Sequence, residues 1–202
     1  MGIWHWNACD TELLDARHME AQFVLRRQFR QDFGYVVATA EVMTVLAELL
    51  RELGSVLDAG CGSGYLSREL ATRGVSAFAV DCRDFRDSRS CAQGYPIHAV
   101  YQRDALGDAA SFVSGLFGAV LLAWPPLNQP FALRVARAML PGQWLVYEGE
   151  DAGGCTADDA FFEFMADAGL WESLPDASGR LNAGHVTLAT LHDRWAVWRR
   201  LG

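Results

Sequence analysis

The chain lacks several features that mark whole classes of protein. Within its 202 residues no apolar run is long enough to span a membrane, and no internal repeat or low-complexity tract occurs. The N-terminus, Met1–Trp6, lacks the basic start and apolar core of a signal peptide. The five cysteines show no C-x-x-C spacing and do not cluster with histidines at zinc-ligand spacing. We therefore expect a cytoplasmic protein with reduced thiols, no membrane association and no metal.

An excess of basic residues is also missing. Asp and Glu outnumber Lys and Arg by 25 to 17, which gives a formal net charge of −8. Proteins that grip many phosphates normally carry a basic face. Duplex nucleic acid is therefore a poor candidate partner. The length fits one domain of ordinary size with a large core, and the composition leaves the oligomeric state open.

The pattern along the chain is an alternation of buried strands and amphipathic helices. This order predicts an α/β fold with a mostly parallel sheet and helices on both faces. Strands are predicted at 56–58, 74–81, 97–101, 117–124, 143–148, 170–174 and 194–200. Helices are predicted at about 11–30, from Thr39 to Gly54, at 66–74, at 108–115, at 130–140, and from a capping box at Thr156 to Gly169.

The most specific segment is the loop Asp58-x-Gly60-x-Gly62-x-Gly64, between a buried strand and a helix. Glycines this close together let the backbone approach a ligand, because no Cβ intervenes. The helix that follows presents unpaired N–H groups. A dinucleotide fingerprint requires a third glycine where Tyr65 stands, so an NAD-dependent oxidoreductase is disfavoured. The loop predicts a site for a nucleoside-bearing cofactor.

Acidic residues follow the next two predicted strands. Asp81 lies 21 positions after Gly60, the distance at which an acid reaches a ribose diol in nucleotide-binding βαβ units. A carboxylate suits a diol because it accepts two hydrogen bonds at once. Asp104 follows the third strand. Each acid alone also fits a strand-end or helix-capping role, but their recurrence at successive strand ends favours a ligand site.

Together these segments resemble the class I S-adenosylmethionine-dependent methyltransferases, over roughly residues 33–200. The resemblance implies a Rossmann-like, seven-stranded, mostly parallel sheet whose last strand is antiparallel, and S-adenosylmethionine as cofactor. It divides the chain into an N-terminal helical extension, 1–32, and a methyltransferase domain, 33–202. In the family, the acid at Asp81 would meet the ribose and that at Asp104 the adenine. The implied cofactor-binding residues are Tyr35, Asp58, Ala59, Gly60, Cys61, Gly62, Gly64, Asp81, Cys82, Asp104 and Ala105. Tyr35 equally fits an aromatic staple.

The acceptor side is predicted at the ends of strands four and five. Trp124-Pro125-Pro126-Leu127 is similar to the Asp/Asn-Pro-Pro-Tyr element of enzymes that methylate amino groups of adenine, cytosine or glutamine. Trp124 replaces the polar residue and Leu127 the aromatic one, which weakens the case for base methylation. A purely structural turn is the alternative. The candidate catalytic residues are Trp124, Pro125, Glu148 and Glu150, with His185 and His192 as further candidates for a base.

These features predict N-methylation of a small-molecule or peptidic acceptor. The alternatives are an N-methyltransferase of nucleic acid or of a translation protein, and an O-methyltransferase of a small metabolite. A catalytically silent binding protein with the same fold is a further possibility.

Overall fold

The computed structural model describes residues 16–81, 98–99 and 115–202. The predicted site residues Cys82, Asp104 and Ala105 lie outside these residues, as does nearly all of the helix predicted at 108–115. The helices are α1 (Ala16–Asp32), α2 (Ala40–Arg51), α3 (Tyr65–Thr72), α4 (Phe131–Ala138), α5 (Asp159–Met165) and α6 (Pro175–Ala183). The strands are β1 (Ser55–Ala59), β2 (Ala77–Asp81), β3 (His98–Ala99), β4 (Phe117–Ala123), β5 (Trp144–Gly149), β6 (Trp171–Ser173) and β7 (Arg194–Arg200).

The strands form one sheet in the order β3-β2-β1-β4-β5-β7-β6. The first five pair in parallel, and β7 lies antiparallel between β5 and β6. This confirms the predicted Rossmann-like α/β fold, including the antiparallel last strand. The strand order reverses between β1 and β4, and ligands of open α/β sheets bind beyond the carboxyl ends of the strands at such a point. This edge of the sheet is therefore the expected position of a ligand site.

Helices cover both faces of the sheet because the central strands are apolar on both sides. Along β4, Val120 and Leu122 pack on the α4–α5 side, while Ala119 and Leu121 pack on the α2–α6 side. All four are completely buried. Such continuous apolar runs are typical of parallel strands with two covered faces. Gly118 is required by close packing, since a Cβ there would lie 1.8 Å from the Leu53 carbonyl oxygen.

One local prediction was wrong, and one helix was not predicted. The helix expected from a capping box at Thr156 begins at Asp159, where the Asp158 carboxylate accepts the N–H of Phe161, and it ends at Met165. Thr156 is instead buried against Tyr147, with 2.6 Å between their hydroxyl oxygens. Helix α6 was not predicted, because PDASGRLNA contains an internal glycine and buries only Ala177 and Leu181. Within the described ranges, no helix is long and apolar enough to cross a membrane.

Candidate cofactor and acceptor site

The glycine loop connects β1 to α3 at the carboxyl edge of the sheet. Gly60, Gly62 and Gly64 all have positive φ angles, of 76°, 56° and 73°, which L-residues with a Cβ rarely adopt. The N–H groups of Gly60 and Cys61 both donate to the Val80 carbonyl, so the loop is fixed on the end of β2. A Cβ on Gly60 would lie 3.1 Å from the Phe131 ring, whereas one on Gly62 would meet no described atom within 4 Å. The loop is therefore packed at Gly60 and open at Gly62.

Asp81 lies beside the open part of this loop. Its Oδ2 accepts the N–H of Gly62 at 2.8 Å, and the side chain is 8% exposed. The residue closes β2, so its position is set by the parallel pairing of β1 with β2. The structure thus brings together Asp58, Gly60, Gly62 and Asp81, as the spacing predicted.

Asp58 is buried beneath the loop. Its Oδ2 accepts the hydroxyl of Ser67 on α3 at 2.6 Å, while Oδ1 has no hydrogen-bond partner among the described residues. Burial raises the pKa of Asp58 from 3.8 to about 7; the Ser67 hydrogen bond opposes the shift, and the charge of Asp81 adds to it. The buried carboxyl is therefore poised between its neutral and charged forms near neutral pH.

Cys61 lies between these two acids in the loop. Burial and the charges of Asp58 and Asp81 raise the pKa of its thiol far above the ordinary value. A thiol in this environment stays protonated and is a poor nucleophile. Cys61 therefore contributes a small side chain to the loop wall.

Two predicted residues from distant parts of the chain meet above β4. The Tyr35 ring stacks on the Trp124 indole, with 5.0 Å between ring centroids and 6° between planes. The Arg30 guanidinium of α1 lies over the Tyr35 ring of this stack, 5.5 Å from the ring centre. Trp124 has a φ of 53°, a strained conformation for a residue with a bulky side chain, and its N–H donates to the Glu148 carbonyl at 2.7 Å.

The Pro-Pro turn after β4 is joined to the loop after β5. The Pro125 carbonyl accepts the N–H of Ala157 at 3.1 Å, and the N–H of Asn128 donates to the Ala157 carbonyl at 2.7 Å. The Pro125 carbonyl is thus already engaged within the protein. Beside the turn lies a cleft of about 280 Å³ with an acidic and apolar lining, formed by Leu127, Asn128, Gly153, Gly154, Thr156, Ala157, Asp158, Asp159 and Phe162.

The two predicted carboxylates at and just after the end of β5 have different environments. Glu150 accepts the N–H of His192 through Oε1 at 2.8 Å and that of Cys155 through Oε2 at 2.6 Å. Although burial opposes ionisation, these bonds lower the pKa of Glu150 below its ordinary value. The charge of Glu150 is therefore engaged in hydrogen bonds with two backbone N–H groups. His192 joins the site through its main chain.

Glu148 is wholly buried and faces the Asp193 carboxyl. Burial first, and then its contact with Asp193, raise the pKa of Glu148 well above its ordinary value. His185, the other predicted base, contacts Asp193, with 3.1 Å between Nε2 and Oδ2. Asp193 and Ser67 were not predicted from the sequence. No local pattern marks Asp193. Ser67 lies near the start of α3, directly after the glycine loop, so a contact with the loop could have been predicted.

No family model and no curated protein matches the sequence. Solved structures with the same fold include a Listeria monocytogenes protein assigned to the class I S-adenosylmethionine-dependent methyltransferases, which is 17% identical, has a TM-score of 0.56, and covers 91% of this chain and 67% of its own. An S-adenosylmethionine-dependent methyltransferase from Clostridium acetobutylicum is 11% identical, with a TM-score of 0.52 and coverage of 92% and 100%. An rRNA methylase from Streptococcus thermophilus is 18% identical, with a TM-score of 0.50 and coverage of 80% and 95%. The chain therefore has the fold of the class I methyltransferases.

Proposed function

We propose that the protein is an S-adenosylmethionine-dependent methyltransferase that methylates the nitrogen of a small-molecule or peptidic acceptor. The observation that carries the proposal is the hydrogen bond between Asp81 and the Gly62 N–H. It sets a ribose-type acid against Gly62, where a Cβ would meet no described atom within 4 Å. A cofactor with an adenosine and an amino-acid arm fits this arrangement of acid and exposed backbone.

S-adenosylmethionine, when bound, supplies a methyl group on an already activated sulfonium. The work left to the protein is alignment of donor and acceptor and exclusion of water. Gly60–Gly64 and Asp81 serve the cofactor side. The stacked Tyr35 and Trp124 serve to close the site between the cofactor and acceptor sides, and an indole face attracts a cation by roughly 0.5–2 kcal/mol.

A nitrogen acceptor is supported by the charge of the surroundings. The cleft beside the Pro-Pro turn carries Asp158 and Asp159 together with the apolar side chains of Leu127 and Phe162. This lining suits a cationic or neutral amine with an apolar arm better than a phosphate backbone. The net charge of −8 points the same way, because phosphate tracking needs a basic face.

Ligand binding tests the cofactor half of the proposal directly. S-adenosylhomocysteine, titrated into the protein by calorimetry, should bind and raise the melting temperature. Asp81→Ala should weaken binding by roughly 1.5–3 kcal/mol, or about 10–150-fold, through the loss of charge-assisted hydrogen bonds. Asp81→Asn is the matched control, because its amide oxygen can still accept the Gly62 N–H while the charge is gone. No heat and no thermal shift at millimolar ligand would refute the proposal.

The acceptor half requires a comparison of substrates. Transfer of a labelled methyl group should be seen with primary amines or amine-bearing peptides. The fold shared with an rRNA methylase makes ribosomal RNA the second candidate acceptor. Salt-sensitive RNA binding at submicromolar concentration, followed by methylation of a base, would replace the small-molecule acceptor with RNA. Binding of S-adenosylhomocysteine without transfer to any acceptor would favour a silent binding protein.

A further inference from the structure

A buried polar cluster lies behind the acceptor side, on the face of the sheet covered by α2 and α6. Glu148 is 0% exposed and Asp193 4%, and the His185 side chain is 6% exposed. Among the described residues, no N–H or hydroxyl donor reaches either carboxyl oxygen of Glu148 or Oδ1 of Asp193. Among the described residues, the two acids thus face each other in the interior beside the His185 imidazole. An unpaired pair of buried negative charges is costly, so this arrangement requires an explanation.

Trp195 determines the tautomer of the His185 imidazole. Its indole N–H donates to Nδ1 of His185 at 3.2 Å, so the neutral ring carries its proton on Nε2. Nε2 lies 3.1 Å from Oδ2 of Asp193 and 3.0 Å from the Asp193 carbonyl oxygen. The nitrogen that faces the acids is therefore a donor.

This tautomer argues against a metal ion, although the three groups offer ligand atoms within 4.8 Å of one another. A metal at Nε2 would require that nitrogen to lose its proton while Nδ1 is already accepting a hydrogen bond. The ring would then be an imidazolate, whereas metal-binding histidines normally donate their other N–H to an acceptor.

We propose that Glu148 and Asp193 share one buried proton, and that this proton joins residues 184–193 to the end of β5. Glu148 is the neutral acid and donates to Asp193, which also accepts the Nε2–H of His185. Two carboxyls in contact cannot both be ionised at low cost. The directions of the two shifts agree with this assignment: the pKa of Glu148 is raised, and hydrogen bonds from His185 and Glu148 lower that of Asp193 although burial opposes this.

Residues 184–193, which we call the strap, connect several parts of the site. Thr39 at the start of α2 donates to the Gly184 carbonyl at 3.1 Å, and Arg26 of α1 donates to the Ala189 carbonyl and the Thr190 hydroxyl at 3.1 and 2.8 Å. Glu148 itself accepts the N–H of Trp124 through its carbonyl. The shared proton therefore fixes the strap beneath α1 and beside Trp124. In the proposed methyl transfer, on which this step rests, Asp193 is a positioning residue.

Other charged groups around the pair make a second negative charge less favourable. Glu41 of α2 packs on Gly184, and Asp58 points to the same face of the sheet, two strands away from Glu148. Glu150 follows on β5, bound to the strap through His192. Among the basic groups on these helices, Arg26 of α1 is engaged with strap oxygens, Arg180 of α6 pairs with Glu48 of α2, and Arg51 of α2 donates to the Arg73 carbonyl. The proton is thus held in a predominantly acidic environment.

The pH dependence of stability reports how many protons the protein gains or loses on unfolding. Denaturation midpoints are measured from pH 5 to 8 in an Asp58→Asn background, because Asp58 also has a raised pKa and Cys61 would contribute above this range. The folded protein should hold one proton more than the unfolded chain, so its unfolding constant should rise tenfold per pH unit until Glu148 ionises. Adding Glu148→Gln should abolish this slope, since the amide N–H takes the place of the carboxyl proton. Glu150→Gln is the matched control and should keep the slope.

A spectroscopic readout is independent of both stability and turnover. The infrared C=O band of a protonated carboxyl should be present at pH 7 in Asp58→Asn and absent when Glu148→Gln is added. When Asp193→Ala is added to Asp58→Asn, the band should shift, because Glu148 keeps its proton and loses its acceptor. Asp193→Ala alone should lower turnover while S-adenosylhomocysteine affinity is kept.

No band at pH 7 in Asp58→Asn, or an equal slope with and without Glu148→Gln, would overturn the proposal. Stabilisation by Zn²⁺ or Mn²⁺ that disappears in His185→Ala would replace it with a metal site. Failure to detect methyl transfer with any acceptor would refute the proposed function only, since the proton count and the band do not depend on it.

Discussion

The phenol ring of Tyr35 lies flat on the indole of Trp124, with a ring-centroid separation of 5.0 Å. Tyr35 precedes α2 and Trp124 directly follows β4, so the contact joins the N-terminal segment to the acceptor side of the sheet. The main chain of Trp124 is strained, with a φ of 53°, and is held by the Glu148 carbonyl. A strained residue held by a ring stack and a main-chain hydrogen bond is typical of a functional position.

We expect Tyr35→Ala to lower turnover, because the ring stack on Trp124 is lost, and Tyr35→Phe to preserve turnover. Loss of the stack should cost roughly 0.5–1.5 kcal/mol, which is about a 2–12-fold change in turnover. The phenylalanine variant keeps the ring and loses only the exposed 3.3 Å hydrogen bond from Arg30. Measurement of kcat and S-adenosylhomocysteine affinity in both variants checks this.

A double-mutant cycle with Trp124→Ala separates the stack from other effects of Tyr35. The effects of Tyr35→Ala and Trp124→Ala on turnover should be less than additive, because each removes the same contact. Trp124→Ala should lower turnover more than it lowers cofactor affinity. Fully additive losses would mean that the two rings act independently.

Gly62 and Gly74 form a matched pair for testing the glycine loop. Both have positive φ, of 56° and 80°, and a Cβ on either would meet no described atom within 4 Å. Alanine at each position should therefore cost a similar 1–2 kcal/mol or so in stability, from backbone strain alone. Only Gly62→Ala should also lose S-adenosylhomocysteine affinity, since its methyl group would occupy the space facing the cofactor. Equal affinities in the two variants, by calorimetry, would place the cofactor away from Gly62.

The cofactor side was predictable because its signals are local. The glycine loop, its helix and Asp81 lie within one βαβ unit, where strand pairing fixes the position of each residue. The mostly parallel sheet with an antiparallel last strand was predicted from the same alternation together with the family resemblance. Strand β7 was predicted at its observed bounds, because its apolar and basic residues form an uninterrupted extended pattern.

The acceptor side was less predictable because its contacts join distant segments. The pairing of Glu148 with Trp195 in the antiparallel β5–β7 ladder brings Asp193 to Glu148, and nothing in the sequence around Asp193 announces this. The two acids Glu148 and Glu150 look equivalent in sequence, yet one contacts another carboxyl and the other accepts two backbone N–H groups. Their difference arises from the strap, whose path the local pattern does not define.

Asp58 makes stability depend on pH in a predictable direction. Its pKa rises from 3.8 to about 7 on folding, so between these values the folded state holds a proton that the unfolded chain has lost. The stability that this proton contributes is complete below pH 3.8 and decreases as pH rises through about 7, with a slope of roughly 1.4 kcal/mol per pH unit for one proton. Asp58→Asn should remove this part of the slope, because the amide stays neutral and can still accept the Ser67 hydroxyl.

Ser67→Ala should change the pH dependence of stability in the opposite direction. The Ser67 hydroxyl, 2.6 Å from Oδ2, favours the charged form of Asp58, so its removal should raise the pKa further and extend the sloping range above pH 7. Denaturation midpoints between pH 4 and 9 in the parent protein, Asp58→Asn and Ser67→Ala would show both effects. The contribution of Glu148 is common to all three proteins, so the differences among them report Asp58 alone. Parallel curves for the parent and Asp58→Asn would mean that Asp58 ionises in the folded protein as it does in the unfolded chain.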